Sequence, residues 1–224
     1  MGRYYTGRLA RSYDTRLRAF TERTHTEALA MVDNVALHEV PTRHGRPPRV
    51  LDVACGTGAF LRRLFAQVPE IEAVGIDASA DMLAQAYTAL EGLRQQVRLE
   101  QVALSGGEMA TLPYAPGTFD LIVCTNALHA MPDPAGTLAG LRRLLAAGGQ
   151  LVLEDFARRE PPFPWGAFEW LVRRVIGRRV HVYTLAEARS LCVQAGLHIV
   201  EDKAFGIDWL LHGWALRASR APEG

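Results

Sequence analysis

Val50-Leu51-Asp52-Val53-Ala54-Cys55-Gly56-Thr57-Gly58 is a short apolar run that passes into a glycine-rich turn, and Phe60, Leu61, Leu64 and Phe65 directly after it recur at helical spacing. A strand, a tight turn and a helix in that order form a ready cradle for a polar ligand. Gly56 and Gly58 let the backbone bend and approach a ligand with no side chain in the way, and the free amides of the helix start favour polar or anionic groups. A Gly-x-Gly pair alone also suits a plain turn, so the surrounding strand and helix carry the reading. Asp77 follows nineteen residues after Gly58, closing a second apolar run at 71–76. There a carboxylate can accept both hydroxyls of a ribose bound at the first loop. Its other role would be to stabilise the start of the helix that Ser79 caps over 82–90. The third glycine of a dinucleotide fingerprint would fall at Leu61, and the chain closes without a second nucleotide-binding half, so a mononucleoside ligand is expected.

Working outward, residues 1–40 read as helical through Leu17, Phe20, Leu29, Val32, Val35 and Ala36, and Pro41, Gly45, Pro47 and Pro48 are expected to break that helix. Further strands are expected at 97–104 and 119–125, the latter apolar throughout as in a sheet covered on both faces. A helix is expected over 134–146, ended by Gly148 and Gly149, with a fifth strand opening at 151–153. Thr184 and Glu187 make a capping box, and 197–204 with 209–217 form an antiparallel hairpin around Gly206. The expected fold class is α/β: a doubly wound, seven-stranded, mostly parallel sheet with a C-terminal antiparallel hairpin. Residues 1–48 would be an N-terminal helical lid segment and 49–224 the main domain, with an insertion at about 156–183 that holds Pro161, Pro162 and Pro164.

The chain has 224 residues, 49% apolar and 22% charged, and its 25 basic residues nearly cancel 24 acidic ones. A net charge of +1 supplies no field for non-specific binding to nucleic acid, and none is expected as a partner. Asn126-Ala127-Leu128-His129 also lacks the Asn/Asp-Pro-Pro-aromatic pattern of amino-methylating nucleic-acid enzymes. Three widely spaced cysteines, Cys55, Cys124 and Cys192, argue against a disulfide framework or a metal site and suit a cytoplasmic location. Apolar runs fall far short of the ~20 residues of a spanning helix.

Asp52 to Gly58, Asp77, Glu108-Met109-Ala110-Thr111-Leu112-Pro113, the run 119–125 followed by Asn126 to His129, and Leu144 to Gly149 together resemble the class I S-adenosylmethionine-dependent methyltransferases, particularly the small-molecule branch that includes quinone-biosynthesis enzymes. The resemblance covers 49–155 closely and 184–217 in outline. It implies a Rossmann-like methyltransferase fold with S-adenosylmethionine as cofactor and S-adenosylhomocysteine as product. The loop containing Ala54, Gly56 and Gly58 would hold the methionine part, with Asp52 toward the amino group and Asp77 on the ribose. Glu108 and Met109 stand beside the adenine where the family usually has Asp and Ala, Asn126 lines the methyl end, and Ala54 takes the place of the commoner glycine. Tyr13, in the front segment, would close over the nucleoside or else pack on the sheet edge.

Methyl transfer from a sulfonium needs chiefly in-line positioning, and a hydroxyl acceptor also needs a base. His129, beyond the fourth strand, is the candidate catalytic residue; its other role is to brace the loop. Trp165, Phe168 and Trp170 would wall an acceptor pocket or pack as core. Arg173, Arg174, Arg178 and Arg179 would make either a basic interfacial helix, giving peripheral membrane contact, or a solvated face. The function expected is methyl transfer to O, N or C of a small, apolar or amphipathic, lipid-like acceptor. The alternative is a catalytically silent S-adenosylmethionine-binding or partner subunit of the same fold.

Overall fold

A computed structural model describes residues 17–103, 109, 111–157, 166–167, 170, 180–209 and 211–221. Helices α1 (Arg18–Met31) and α2 (Asn34–His44) precede β1 (Arg49–Val53), α3 (Ala59–Gln67), β2 (Glu72–Asp77), α4 (Ala80–Ala89) and β3 (Val97–Gln101). After them come β4 (Phe119–Thr125), α5 (Pro134–Leu144), β5 (Leu145–Ala157), α6 (Leu185–Gln194), β6 (Leu197–Gly206) and β7 (His212–Arg220). The seven strands form one sheet in the order β3-β2-β1-β4-β5-β7-β6. Strands β1 to β5 pair in parallel, and β7 runs antiparallel to both β5 and β6. The doubly wound sheet with its closing hairpin is therefore the one expected.

Alternation along each strand divides the apolar residues between two cores. Leu51, Val53, Ile122, Cys124, Leu153 and Trp214 face the α5 and α6 side, whereas Val50, Leu121, Val123, Val152 and Ala215 face α1 and α3. Every residue of β4 is buried, because helices cover both of its faces. The Trp214 indole, fully buried, donates to the Tyr183 carbonyl at 3.1 Å, so its polar edge is satisfied inside the core. The capping box at Thr184 and Glu187 and the Ser79 cap, which accepts from the Met82 amide, form as the sequence indicates.

Pro41 does not break its helix. Asp33 caps α2 by accepting from the Ala36 amide, and after Pro41 the helix runs one turn more to Gly45 at φ 65°, whose N–H donates to the Pro41 carbonyl. Burial of Leu37 and Val40 offsets the ~3 kcal/mol that an interior proline costs. Nor do Gly148 and Gly149 end α5. The helix stops at Leu144, and the glycines lie within β5, where the pairing with β4 shifts register between Phe119 and Leu121. Val35, read as part of the apolar face, is instead 69% exposed. In the hairpin, Gly206 still belongs to β6 and Trp209 sits exposed in the turn, so β7 starts three residues later than expected, at His212.

Gly58 caps α3 at φ 75°, and a Cβ there would meet Leu90 Cδ1 at 2.7 Å and Ala86 Cβ at 3.3 Å. Gly58→Ala is expected to destabilise the protein by ~2 kcal/mol, combining left-handed strain with overpacking against a buried leucine. Thermal unfolding should register this as a lower Tm, and an unchanged Tm would contradict the packing described.

Candidate functional site

Parallel pairing brings the carboxyl ends of β1, β2, β4 and β5 to one edge of the sheet, the edge where open α/β sheets bind ligands. Behind β1 the chain turns through Ala54 at φ 61°, Gly56 at φ 55° and Gly58 at φ 75°. Ala54, which the resemblance treats as a simple stand-in for glycine, therefore occupies left-handed backbone that costs an L-residue about 1–2 kcal/mol. Asn126, at the exit of β4, is likewise left-handed at φ 51°, a conformation asparagine tolerates. Strained backbone at both loops fits a site whose geometry matters more than its stability.

Asp77 ties the loop to β2: one carboxylate oxygen accepts from the Gly56 amide at 3.0 Å and the other from the Ser79 amide at 2.8 Å. The helix-start role read from the sequence is visible in the Ser79 contact, and each oxygen keeps a lone pair that a ligand hydroxyl could use. Asp52, in β1 just below the loop, is 1% exposed, and neither carboxyl oxygen has a hydrogen-bond partner. Burial, then the charge of Asp77, push the Asp52 carboxyl well above the usual carboxylate range, and burial also raises Asp77 despite its amide partners. Two unsatisfied buried oxygens beside a glycine loop fit an amino group brought by a ligand.

These shifts predict a pH dependence. Carboxyl groups raised in the folded state stabilise it fully below pH ~4 and lose that contribution as pH rises through their folded values. His25, buried against Phe60, runs the other way: burial, then Arg63, lower its pKa to about 4, so its contribution is full above ~6.5 and fades below. Above pH ~6.5 the His25 contribution is constant and the raised carboxyls set the sign. The ligand-free protein is expected to gain stability on acidification through the range in which the raised carboxyls take up protons. Asp52→Asn should raise Tm by a few degrees near pH 7.5 and flatten the profile, as calorimetric scanning would register.

On the far side of the loop, Asn126 Nδ2 donates to Thr24 Oγ1 of α1 at 2.9 Å, while its Oδ1 is buried without a partner. Helix α1 is held above the same edge by Arg23 Nε on the Gly206 carbonyl at 3.2 Å and by the Lys203–Glu27 ion pair at 2.7 Å. His129 lies in a short 3-10 turn, Leu128–Ala130, right after β4. Its Nδ1 meets both oxygens of Asp155 at 2.8 and 3.1 Å, and its backbone N–H donates to Asp155 at 2.8 Å. Asp155 is buried and His129 keeps 18% of its side chain exposed, with the Phe156 ring tilted against it at 4.5 Å between centroids.

The structure therefore gathers Asp52, Ala54, Gly56, Gly58, Asp77, Asn126 and His129 at one edge. Met109, expected beside the adenine, has its side chain wholly inside the core, and its backbone is packed so closely on α5 that a Cβ on Gly140 would meet the Met109 carbonyl carbon at 2.7 Å. Glu108 and Tyr13 lie outside the described residues, as do Trp165, Phe168 and the arginines at 173, 174, 178 and 179; Trp170 is 63% exposed. Sequence reasoning missed Asp155, Thr24 and Glu154. The two acids were signalled by charge at the end of an otherwise apolar strand, 151–153. Among the described residues no group of His, Cys, Asp and Glu could hold a metal, and no helix is long and apolar enough to cross a membrane.

A glycine loop after β1, an acid at the end of β2 and this sheet order define the class I S-adenosylmethionine-dependent methyltransferase fold. Comparison with known proteins agrees: a methyltransferase-domain family model matches residues 47–187. The chain belongs to the methyltransferase family, whose donor is S-adenosylmethionine. It is 39% identical over 135 residues to demethylmenaquinone methyltransferase of Thermus thermophilus, covering 60% of this chain and 56% of the relative. The chain spans about half the length of the curated relatives it matches. Among solved structures, magnesium protoporphyrin IX methyltransferase from Synechocystis with bound S-adenosylhomocysteine superposes with a TM-score of 0.62 at 17% identity, covering 91% of this chain and 86% of the other. The [4+2]-cyclase SpnF superposes with a TM-score of 0.64 at 21% identity, covering 86% and 82%.

Proposed function

We propose that this protein transfers the methyl group of S-adenosylmethionine to a small, apolar or amphipathic acceptor by in-line displacement. The observation that carries the reading is Asp52, a fully buried carboxyl with two unsatisfied oxygens under the glycine loop, because a donor bearing an amino group gives it the partner it lacks. Asp77 takes the ribose hydroxyls while keeping the loop closed through Gly56, and Gly56 and Gly58 let the backbone approach the methionine part. The donor supplies an electrophilic methyl; the protein's task is to aim a nucleophile at it and exclude water. Helix α1, latched to Asn126 through Thr24, covers the edge and takes the lid role proposed for the front segment. Helix α2, in contrast, is tied to the opposite end of the sheet by the Asp33–Gln150 hydrogen bonds, and the chain after it by Arg46–Asp120. Asp155 holds Nδ1 of His129, which leaves Nε2 as the nitrogen that accepts a proton from the acceptor.

The Thermus relative, named for demethylmenaquinone, supports an acceptor with an apolar body. The insertion at about 156–183 adjoins the end of β5 and would recognise that body. A second reading is a chain that binds the donor without turning it over, and it has one observation behind it: SpnF, of the same fold, is a [4+2]-cyclase. Incubating the full chain with S-adenosylmethionine and a panel of phenols, quinols, amines and prenylated aromatics separates the two. Mass spectrometry should find one acceptor gaining a single methyl with equimolar S-adenosylhomocysteine; donor binding without any methylated product across the panel would favour the silent subunit.

A further inference from the structure

Glu154 of β5 is 0% exposed, and neither of its carboxyl oxygens has a hydrogen-bond partner. Among the described residues, Asp52 and Glu154 are the two buried carboxyl groups in that condition. They lie on the same face of the sheet. Asp52 pairs with Val123 and Val123 with Val152, and the α1 side of the sheet carries Val50, Val123, Val152 and Ala215; Asp52 shares the parity of Val50, and Glu154 that of Val152. The two acids thus flank β4, Glu154 lying two residues nearer the ligand edge. Strand spacing of ~4.8 Å and a rise of ~3.3 Å per residue put their Cα atoms about 12 Å apart.

The charged neighbours do not neutralise Glu154. Across the sheet its row reads Thr125, Glu154, Ala215, Lys203, so β4 and β7 offer it no charge. Lys203, from β6, is committed to Glu27 of α1 at 2.7 Å. Asp155, next in its own strand, is engaged with His129, and from α1 the facing groups are Thr24, already bonded to Asn126, and Glu27. His25, also on α1, is neutral near pH 7. The Asn126 amide donates to the Glu154 backbone carbonyl at 2.9 Å, and the Asn126 Oδ1 beside it has no partner. Burial, then the charge of Asp155, push the Glu154 carboxyl well above the usual carboxylate range against a lowering effect of the Asn126 backbone N–H, so burial favours its protonated form in the ligand-free protein.

A buried pair of unpaired acids on one face asks for a ligand with two positive charges. The methyl donor has two, an ammonium and a sulfonium, whereas its demethylated product keeps only the ammonium. We propose that Glu154 is the counter-charge for the donor's sulfonium, as Asp52 is for its ammonium, and that donor binding drives a proton off Glu154. The proposal rests on the donor assignment above. It gives the protein a means to distinguish donor from product, since loss of the sulfonium charge leaves Glu154 without a partner and favours product release.

Titration calorimetry of the full chain near pH 7, run in phosphate and in Tris, counts protons released on binding from the difference in buffer ionisation heat. The wild type should release about one proton more with S-adenosylmethionine than with S-adenosylhomocysteine. In Glu154→Gln that difference should vanish, and the preference for the donor over the product should fall about tenfold, as expected for loss of one charge-assisted contact. Asp52→Asn, in contrast, should weaken both ligands alike and keep the proton difference. Equal proton release for the two ligands in the wild type overturns the proposal, whether or not the variants fold, and so does an unchanged difference in Glu154→Gln. Failure of the wild type to bind either ligand would instead strike the donor assignment itself.

Discussion

Asp77→Ala is expected to weaken S-adenosylmethionine binding by about 10²–10⁴-fold, because it removes the carboxylate proposed to make two hydrogen bonds to ribose hydroxyls, worth ~1.5–3 kcal/mol each. The same change frees the Gly56 amide, which donates to Asp77 at 3.0 Å, and so loosens the loop. Asp77→Asn is the milder change: its single amide oxygen can keep either the Gly56 or the Ser79 contact but not both, and it offers the ribose a weaker, uncharged acceptor, so affinity should fall by a smaller factor, about tenfold. Calorimetric titration reads both, and unchanged affinity in Asp77→Ala would remove the ribose assignment.

His129→Gln should lower kcat by about 10²–10⁴-fold on a hydroxyl acceptor, the usual range for removing a positioned base, with donor affinity unchanged. Asp155→Asn should lower kcat as well: the asparagine can present an N–H to Nδ1 and so favour the tautomer with its proton on Nε2, the wrong one for a base. A bracing histidine behaves differently. If His129 only held the loop, both variants would lose thermal stability while the rate per folded molecule and its pH profile stayed the same. Steady-state rates across pH for the acceptor found by mass spectrometry, together with unfolding scans, distinguish the two.

Much of the fold was legible because period-2 and period-3.6 patterns are local properties. Strands β1, β2 and β4, the Ser79 and Thr184 caps and the closing hairpin could all be read that way. Pro41 misled because its local cost is overridden by burial of Leu37 and Val40, which the sequence places near each other without saying what they pack against. Gly148 and Gly149 misled for a related reason: a glycine pair suits a helix end and a strand irregularity equally well, and the register shift that accommodates them is set by β4, whose Phe119 and Leu121 pair with Leu145 and Gln150 on either side of the two glycines.

At the site, the glycine loop and Asp77 were readable since residue type and spacing along one βα unit suffice for them. The His129–Asp155 pair was not, because one residue lies in the turn after β4 and the other in β5, and they meet only when β4 and β5 align in register. The sequence by itself thus determined the alternation of elements, the loop and the acid that closes β2, through sterics and hydrophobic periodicity acting over a few residues. Only the tertiary structure decided which polar groups are satisfied. Whether Asp52 and Glu154 stand alone, and whether Asn126 is held by α1, depends on what packing excludes from them, and burial is a property of the assembled sheet and its covering helices.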